Sequence, residues 1–96
     1  MIQSFGNAAT EDFFHGRRTA AARRIPADIH KRLQRKLDAL NAAAKLEDLA
    51  AMPGNELESL KGDRKGQHSI RINDQWRITF FWAAIGPSSV EWTDYH

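Results

Sequence analysis

The chain has 96 residues and no cysteine. That length fits one domain spanning residues 1–96 with a thin core, and the missing thiols exclude a disulfide framework, a thiolate nucleophile and a Cys-bound metal. The net charge of +2 is unevenly spread, at +5 over residues 1–36, −4 over 37–60 and +1 over 61–96, so a basic first third and a basic segment after residue 60 point to a polyanionic partner.

The opening residues Met1 to Phe5 have no basic stretch leading into a long apolar run, so no secretory signal is expected. No segment approaches the roughly 18 apolar residues of a membrane helix. A cytoplasmic protein without membrane contact is the expectation. Ile2 to Phe5 suits a short strand. Asn7 or Thr10 suits the N-cap of a short helix carrying Phe13 and Phe14. A basic, alanine-rich segment follows from His15 to Arg24, broken at Gly16.

Pro26 opens the clearest helix, because proline at a first turn loses no intrahelical hydrogen bond. Ile29, Leu33, Leu37, Leu40 and Ala44 recur at three- and four-residue steps and form one apolar stripe. Lys31, Arg32, Arg35 and Lys36 lie off it. A second short helical turn is expected from Leu46 to Ala51, and Met52-Pro53-Gly54-Asn55 breaks the pattern.

Strand-like sequence follows. Leu57 and Leu60 flank a short strand, and Gln67 to Ile72 alternates with His68, Ile70 and Ile72 on one face. Trp76 to Trp82 is a longer strand, whose Phe80-Phe81-Trp82 run predicts cover on both faces. Gly86-Pro87-Ser88 reads as a turn and Val90 to Thr93 as the last strand. The fold class is α+β: helices first, then an antiparallel sheet that they cover. Phe13, Phe14, Trp76, Phe80 and Trp82 read as core, and His15 and His30 as surface residues.

The Asn73-Asp74 hairpin carries the most chemistry. Ile70 and Ile72 must share a face with Trp76 and Ile78, which requires a three-residue loop, Asn73 to Gln75. That register sets Arg71 opposite Arg77, and like charges so placed are destabilising. A polyanion between them accounts for the pair, since guanidinium forks suit phosphate. The alternative is neutralisation by acids such as Asp63, Glu58 or Asp94. On repulsion alone, removing Arg77 should slightly stabilise the fold.

Lys61-Gly62-Asp63-Arg64-Lys65-Gly66 is a basic loop that either follows an RNA backbone through Lys61, Arg64 and Lys65 or is a solvated turn. Asp94-Tyr95-His96 groups a carboxylate, a phenol able to stack on an unpaired base and an imidazole able to move protons near neutral pH. Its alternative is a frayed end. No metal-ligand spacing occurs.

Three stretches together resemble the HigB branch of the RelE toxin superfamily. They are Gly54-Asn55-Glu56-Leu57-Glu58-Ser59-Leu60-Lys61-Gly62-Asp63, Gly66-Gln67-His68-Ser69-Ile70-Arg71-Ile72-Asn73-Asp74-Gln75-Trp76-Arg77, and Val90-Glu91 with Asp94-Tyr95-His96. The resemblance implies two helices on a mostly antiparallel sheet, and ribosome-dependent cleavage of mRNA without metal or cofactor. It also implies inhibition by a HigA-like helix-turn-helix antitoxin, with operator DNA bound only through the antitoxin complex.

By position, Lys61, Arg71 and Arg77 are the implied phosphate contacts, and Asp94, Tyr95 and His96 the terminal catalytic group. Glu58 stands where some members carry histidine. It is either the general base or an ion-pair partner of Arg71, Arg77 or Lys61. We favour the second, because nearby arginines hold a carboxylate in its weakly basic ionised form. The rival classes are a non-catalytic RNA-binding module and a DNA-binding co-repressor subunit.

Overall fold

A computed structural model describes residues 1–94. Helix α1 (Ala8–Phe14) starts where Asn7 is extended at φ −152°, and Asn7 Oδ1 accepts the Thr10 N–H at 2.9 Å. This N-cap satisfies an otherwise unpaired first-turn amide. The helix ends at His15, and Gly16 follows at φ +74°, a backbone region that favours glycine.

Pro26 leads into a single 3₁₀ turn (Ala27–Ile29) and then α2 (His30–Ala42). Leu33, Leu37 and Leu40 on α2 are fully buried, as is Ile29 just before it. Burial of each leucine contributes roughly 1.5–3 kcal/mol. Ala44 departs from the expected stripe: α2 stops at Ala42, and Ala44 is exposed in the connector. There its N–H donates to Asp48 Oδ2 at 2.9 Å, helping to start α3 (Leu46–Ala50). His30 also departs from a surface role. Its Nε2 lies 2.9 Å from the Ile25 carbonyl and its ring meets Phe13 edge-on at 5.0 Å.

Four strands follow: β1 (Glu58–Ser59), β2 (Gln67–Arg71), β3 (Trp76–Ala83) and β4 (Gly86–Asp94). They form one sheet in sequence order, with every neighbouring pair antiparallel. The helices cover the face presenting Ile70, Ile78, Phe80 and Val90, all fully buried. Phe13, Phe14, Trp76 and Trp82 pack half-buried against this core. No helix among the described residues is long and apolar enough to cross a membrane.

The hairpin register is the one that hydrophobic alternation requires. Ile70 pairs with Ile78 and Arg71 with Arg77. Asn73 Oδ1 accepts the Gln75 and Trp76 N–H groups at 2.9 and 2.8 Å, closing the loop as an Asx turn.

Three strand expectations need correction. Phe81 is 39% exposed while Phe80 is fully buried, so the aromatic run is covered on one face only. The second face carries no helix, and alternation there puts Phe81 at the surface. Gly86-Pro87-Ser88 is not the turn. It pairs with Ala83, Trp82 and Phe81 inside β4, and Ala84-Ile85 makes the reversal. A β-bulge follows, where the pairing slips by one residue between Thr79 and Phe81 and Ser89 sits at φ +50°.

The N-terminal segment makes one parallel bridge, Phe5 to Val90, rather than a full strand. Gln3 N–H donates to the Pro87 carbonyl and Gly6 N–H to the Val90 carbonyl, both at 2.8 Å. It covers an edge of β4 that would otherwise offer unpaired backbone groups.

Candidate active site

The uncovered sheet face gathers the polar side chains. The ladder places Glu58, Ser69, Thr79 and Glu91 in one row across the four strands, and Arg71, Arg77 and Thr93 in the next. Ser69 and Thr79 are fully buried although they face away from the helical core. Long side chains from neighbouring positions roof them: Arg77 Nε donates to Ser69 Oγ at 2.8 Å, and Arg64 Nη1 lies 3.5 Å from Thr79 Oγ1.

Arg77 is itself 7% exposed. Besides Ser69 Oγ it donates through Nη2 to the Glu56 carbonyl at 2.5 Å, and Nη2 stands 3.6 Å from Glu58 Oε1. Arg71 is half-buried, with Nε 3.2 Å from Glu56 Oε2 and Nη2 on Asp74 Oδ1. Among the described residues, the two facing arginines are therefore answered by Glu56, Asp74 and Glu58. Glu58 supplies the neutralisation that the sequence allows for, and Glu56 and Asp74 join it. Since Arg77 is held by a serine and a carbonyl as well, its removal would leave buried acceptors unpaired rather than simply relieve repulsion.

The remaining predicted residues take different places. Arg64 belongs to this face, bonding Gln67 Oε1 at 3.2 Å and pairing with Glu91 Oε1 at 3.6 Å. Lys61 and Lys65 are exposed on either side of a 3₁₀ turn, Gly62–Arg64. Asp94 ends β4 opposite Trp76, near the Arg77–Thr93 pair, and its Oδ2 accepts from Gln75 Nε2 at 3.4 Å. Tyr95 and His96 lie outside the described residues.

Sequence reasoning missed the connector that ties this face together. Asn55 is fully buried, and its carbonyl accepts the Arg71 N–H at 2.6 Å. Glu56 follows at φ +45°, a left-handed conformation that costs a non-glycine residue roughly 1–2 kcal/mol. Lys36 of α2 reaches Asn55 Oδ1 with Nζ at 2.5 Å. Burial, followed by the charges of Arg35, Arg71, Arg32 and Arg77, pushes the Lys36 pKa below the ordinary 10.5. The only sequence signal was a lysine lying off the α2 stripe, which by itself reads as solvated surface.

A cavity of about 730 Å³ lies elsewhere, in the helical layer between α1 and α2, lined by Phe13, Arg17, Arg18, Arg23, His30 and Gln34 among others. None of the predicted site residues lines it. The chemistry-bearing groups sit instead on an open surface.

The family described as the RelE-like toxin of type II toxin-antitoxin system HigB matches residues 3–96. The chain belongs to this HigB-like toxin family. Toxin HigB-1 of Vibrio cholerae is 48% identical over 60 residues, covering 62% of this chain and 63% of that protein, so the chain aligns to just under two thirds of that relative's length. Endoribonuclease HigB of Proteus vulgaris is 31% identical over 96 residues, spanning the whole of both chains.

Solved structures share the fold of this chain. The YoeB-YefM complex from Staphylococcus aureus matches at TM-score 0.61 and 18% identity, covering 100% of this chain and 98% of that one. The YoeB/ParE toxin from Agrobacterium tumefaciens matches at 0.59 and 16%, covering 98% and 99%. The expected α+β architecture, helices on an antiparallel sheet, is thus the one observed.

Proposed function

We propose that this toxin is an endoribonuclease that cuts messenger RNA on the ribosome, in the cytoplasm, and is neutralised by a HigA-like helix-turn-helix antitoxin. The observation that carries the reading is the Arg71–Arg77 pair, set face to face on the open sheet surface and balanced by displaceable carboxylates. Membership of a family described as the toxin of a type II toxin-antitoxin system and the name of the Proteus relative support it.

In the mechanism, an RNA 2′-oxygen attacks the adjacent phosphorus and the bond to the 5′-oxygen breaks, leaving a cyclic phosphate and a 5′-hydroxyl. Charge gathers on the non-bridging oxygens, where Arg71, Arg77 and Lys61 act as pre-placed donors. Glu56, Glu58 and Asp74 hold the arginines until phosphate takes their place. Glu58 stands 46% exposed at 3.6 Å from Arg77, a loose pairing that an incoming phosphate can displace. His96, or Glu58 in its place, takes the 2′-proton, a second group protonates the leaving oxygen, and Tyr95 holds a base out of its stack, with Asp94 completing the terminal catalytic group.

Lys61, Arg64 and Lys65 carry the neighbouring backbone. An open surface cannot align a flexible strand in-line by itself, so the ribosome supplies that constraint. Operator DNA is met only through the antitoxin complex.

The test is the purified chain added to translating ribosomes, with mRNA 5′ ends mapped. New ends inside translated frames are expected, absent with Arg77→Ala. Unchanged ends at confirmed folded protein would reject the reading in favour of a non-cutting binder.

A further inference from the structure

Each polar group of Asn55 has a partner. Its N–H donates to the Met52 carbonyl at 3.3 Å, its Nδ2 to the Leu49 carbonyl at 3.0 Å, its carbonyl accepts from Arg71 N–H, and its Oδ1 accepts from Lys36 Nζ. The residue thus joins α3, β2 and α2 at the sheet edge. Glu56, next in the chain, turns the other way: its carbonyl takes Arg77 Nη2 and its carboxylate takes Arg71 Nε. A short strut runs from the helical layer, round the edge of the sheet, to both arginines.

We propose that Lys36 is a positioning residue for the arginine pair, gripping Asn55 from the helical layer and so fixing the left-handed Glu56 turn that orients Arg71 and Arg77. A neutral donor would satisfy Asn55 Oδ1 without repulsion. A lysine there must keep its proton against Arg32 and Arg35 on its own helix, Arg71 on β2 and Arg77 on β3, and against partial burial. Glu56 and Glu58, the carboxylates at this edge, are engaged with the arginines. A phosphodiester bound between Arg71 and Arg77 adds negative charge to this cluster. It favours the Lys36 proton and so tightens the Lys36–Asn55 grip, while the Glu56 carbonyl keeps its hold on Arg77 after phosphate displaces the Glu56 carboxylate from Arg71. The inference rests on the proposed ribonuclease reading for its kinetic consequence, and on geometry alone for its structural one.

Lys36→Met, Lys36→Arg and the exposed-residue control Lys31→Met test it with two independent readouts. In ribosome-bound single-turnover cleavage, Lys36→Met should lower the rate about tenfold to a hundredfold, the loss typical of one charge-assisted hydrogen bond. Ribosome affinity should stay within about threefold, placing the loss in the chemical step. Lys36→Arg should restore most of the rate. In ¹⁵N NMR of the free protein, the Arg77 Nε–H resonance, held by Ser69 Oγ, should shift or broaden in Lys36→Met and return in Lys36→Arg.

If Lys36→Met fails to fold, the same resonance in the wild-type chain should move as pH rises through the depressed Lys36 titration, and should not move in Lys36→Arg. A wild-type chain that does not cleave overturns the ribonuclease reading and leaves the resonance to decide the strut. An unmoved Arg77 resonance, or wild-type cleavage by folded Lys36→Met, overturns the role of Lys36.

Discussion

Arg71 and Arg77 face each other directly across the β2–β3 ladder, yet their guanidinium groups lean on different carboxylates, Arg71 on Glu56 and Asp74, Arg77 on Glu58. The repulsion built into the register is thereby offset by carboxylates, the groups that phosphate displaces in the proposed function.

Arg77→Ala should reduce ribosome-dependent cleavage by roughly two to three orders of magnitude, the usual loss for one preorganised transition-state donor. It should also destabilise the fold by about 1–3 kcal/mol, because the Ser69 hydroxyl and the Glu56 carbonyl lose a buried donor. Single-turnover rates and urea denaturation check the two effects. A more stable Arg77→Ala would mean that relief of repulsion outweighs those lost bonds.

Glu58→Gln should keep cleavage within about tenfold and cost no more than about 1 kcal/mol, as suits a half-exposed ion pair. Glu58→His should cut as well as or better than the wild type. The decisive measurement is the pH–rate profile of Glu58→Gln on ribosomes. Loss of its acidic limb together with a drop beyond about a hundredfold would make Glu58 the base.

A chain ending at Tyr95 should lose about 10²–10⁴ in rate, since His96 is the proposed proton-transfer group. A thermal unfolding curve recorded on the same truncated chain separates a loss of chemistry from a loss of folded protein. Undiminished cleavage would assign proton transfer elsewhere.

Asp12 offers a pH prediction away from the site. It accepts hydrogen bonds from Thr19 Oγ1 at 2.7 Å and Arg17 Nη1 at 3.2 Å. Thr19 first and Arg17 second hold its pKa below the ordinary 3.8. The stabilisation is therefore complete above 3.8 and is lost as pH falls through the lowered value. Thr19→Val should raise the Asp12 titration toward 3.8, read by carboxyl-carbon NMR. An unmoved titration would show that Arg17 alone sustains it.

Much of this architecture is legible in the sequence because it follows from alternation. Once Ile70, Ile72, Trp76 and Ile78 share a face, the loop length and the Arg71–Arg77 facing are forced. Gly86-Pro87-Ser88 misleads because its composition is that of a turn, whereas a bulge and a partner segment keep it in β4. The Phe80-Phe81-Trp82 run misleads because hydrophobicity does not reveal which sheet face lacks a helix. Lys36 and Asn55 escape notice because they are 19 residues apart, and their bond exists only once α2 and the sheet edge are assembled.

The bridge between Phe5 and Val90 bears on how the molecule comes into being. Gln3 and Ser4 emerge from the synthesising ribosome more than 80 residues ahead of the Ile85 and Ser89 groups they bond. The sheet cannot seal its β4 edge until β4 itself is free, and closing so long a loop is slow and entropically costly. Arg77 and Thr93 meet across the same late-arriving strand. Assembly of the proposed cutting surface therefore waits for β4, and the β2–β3 hairpin that carries Arg71 and Arg77 can pair well before that surface is complete.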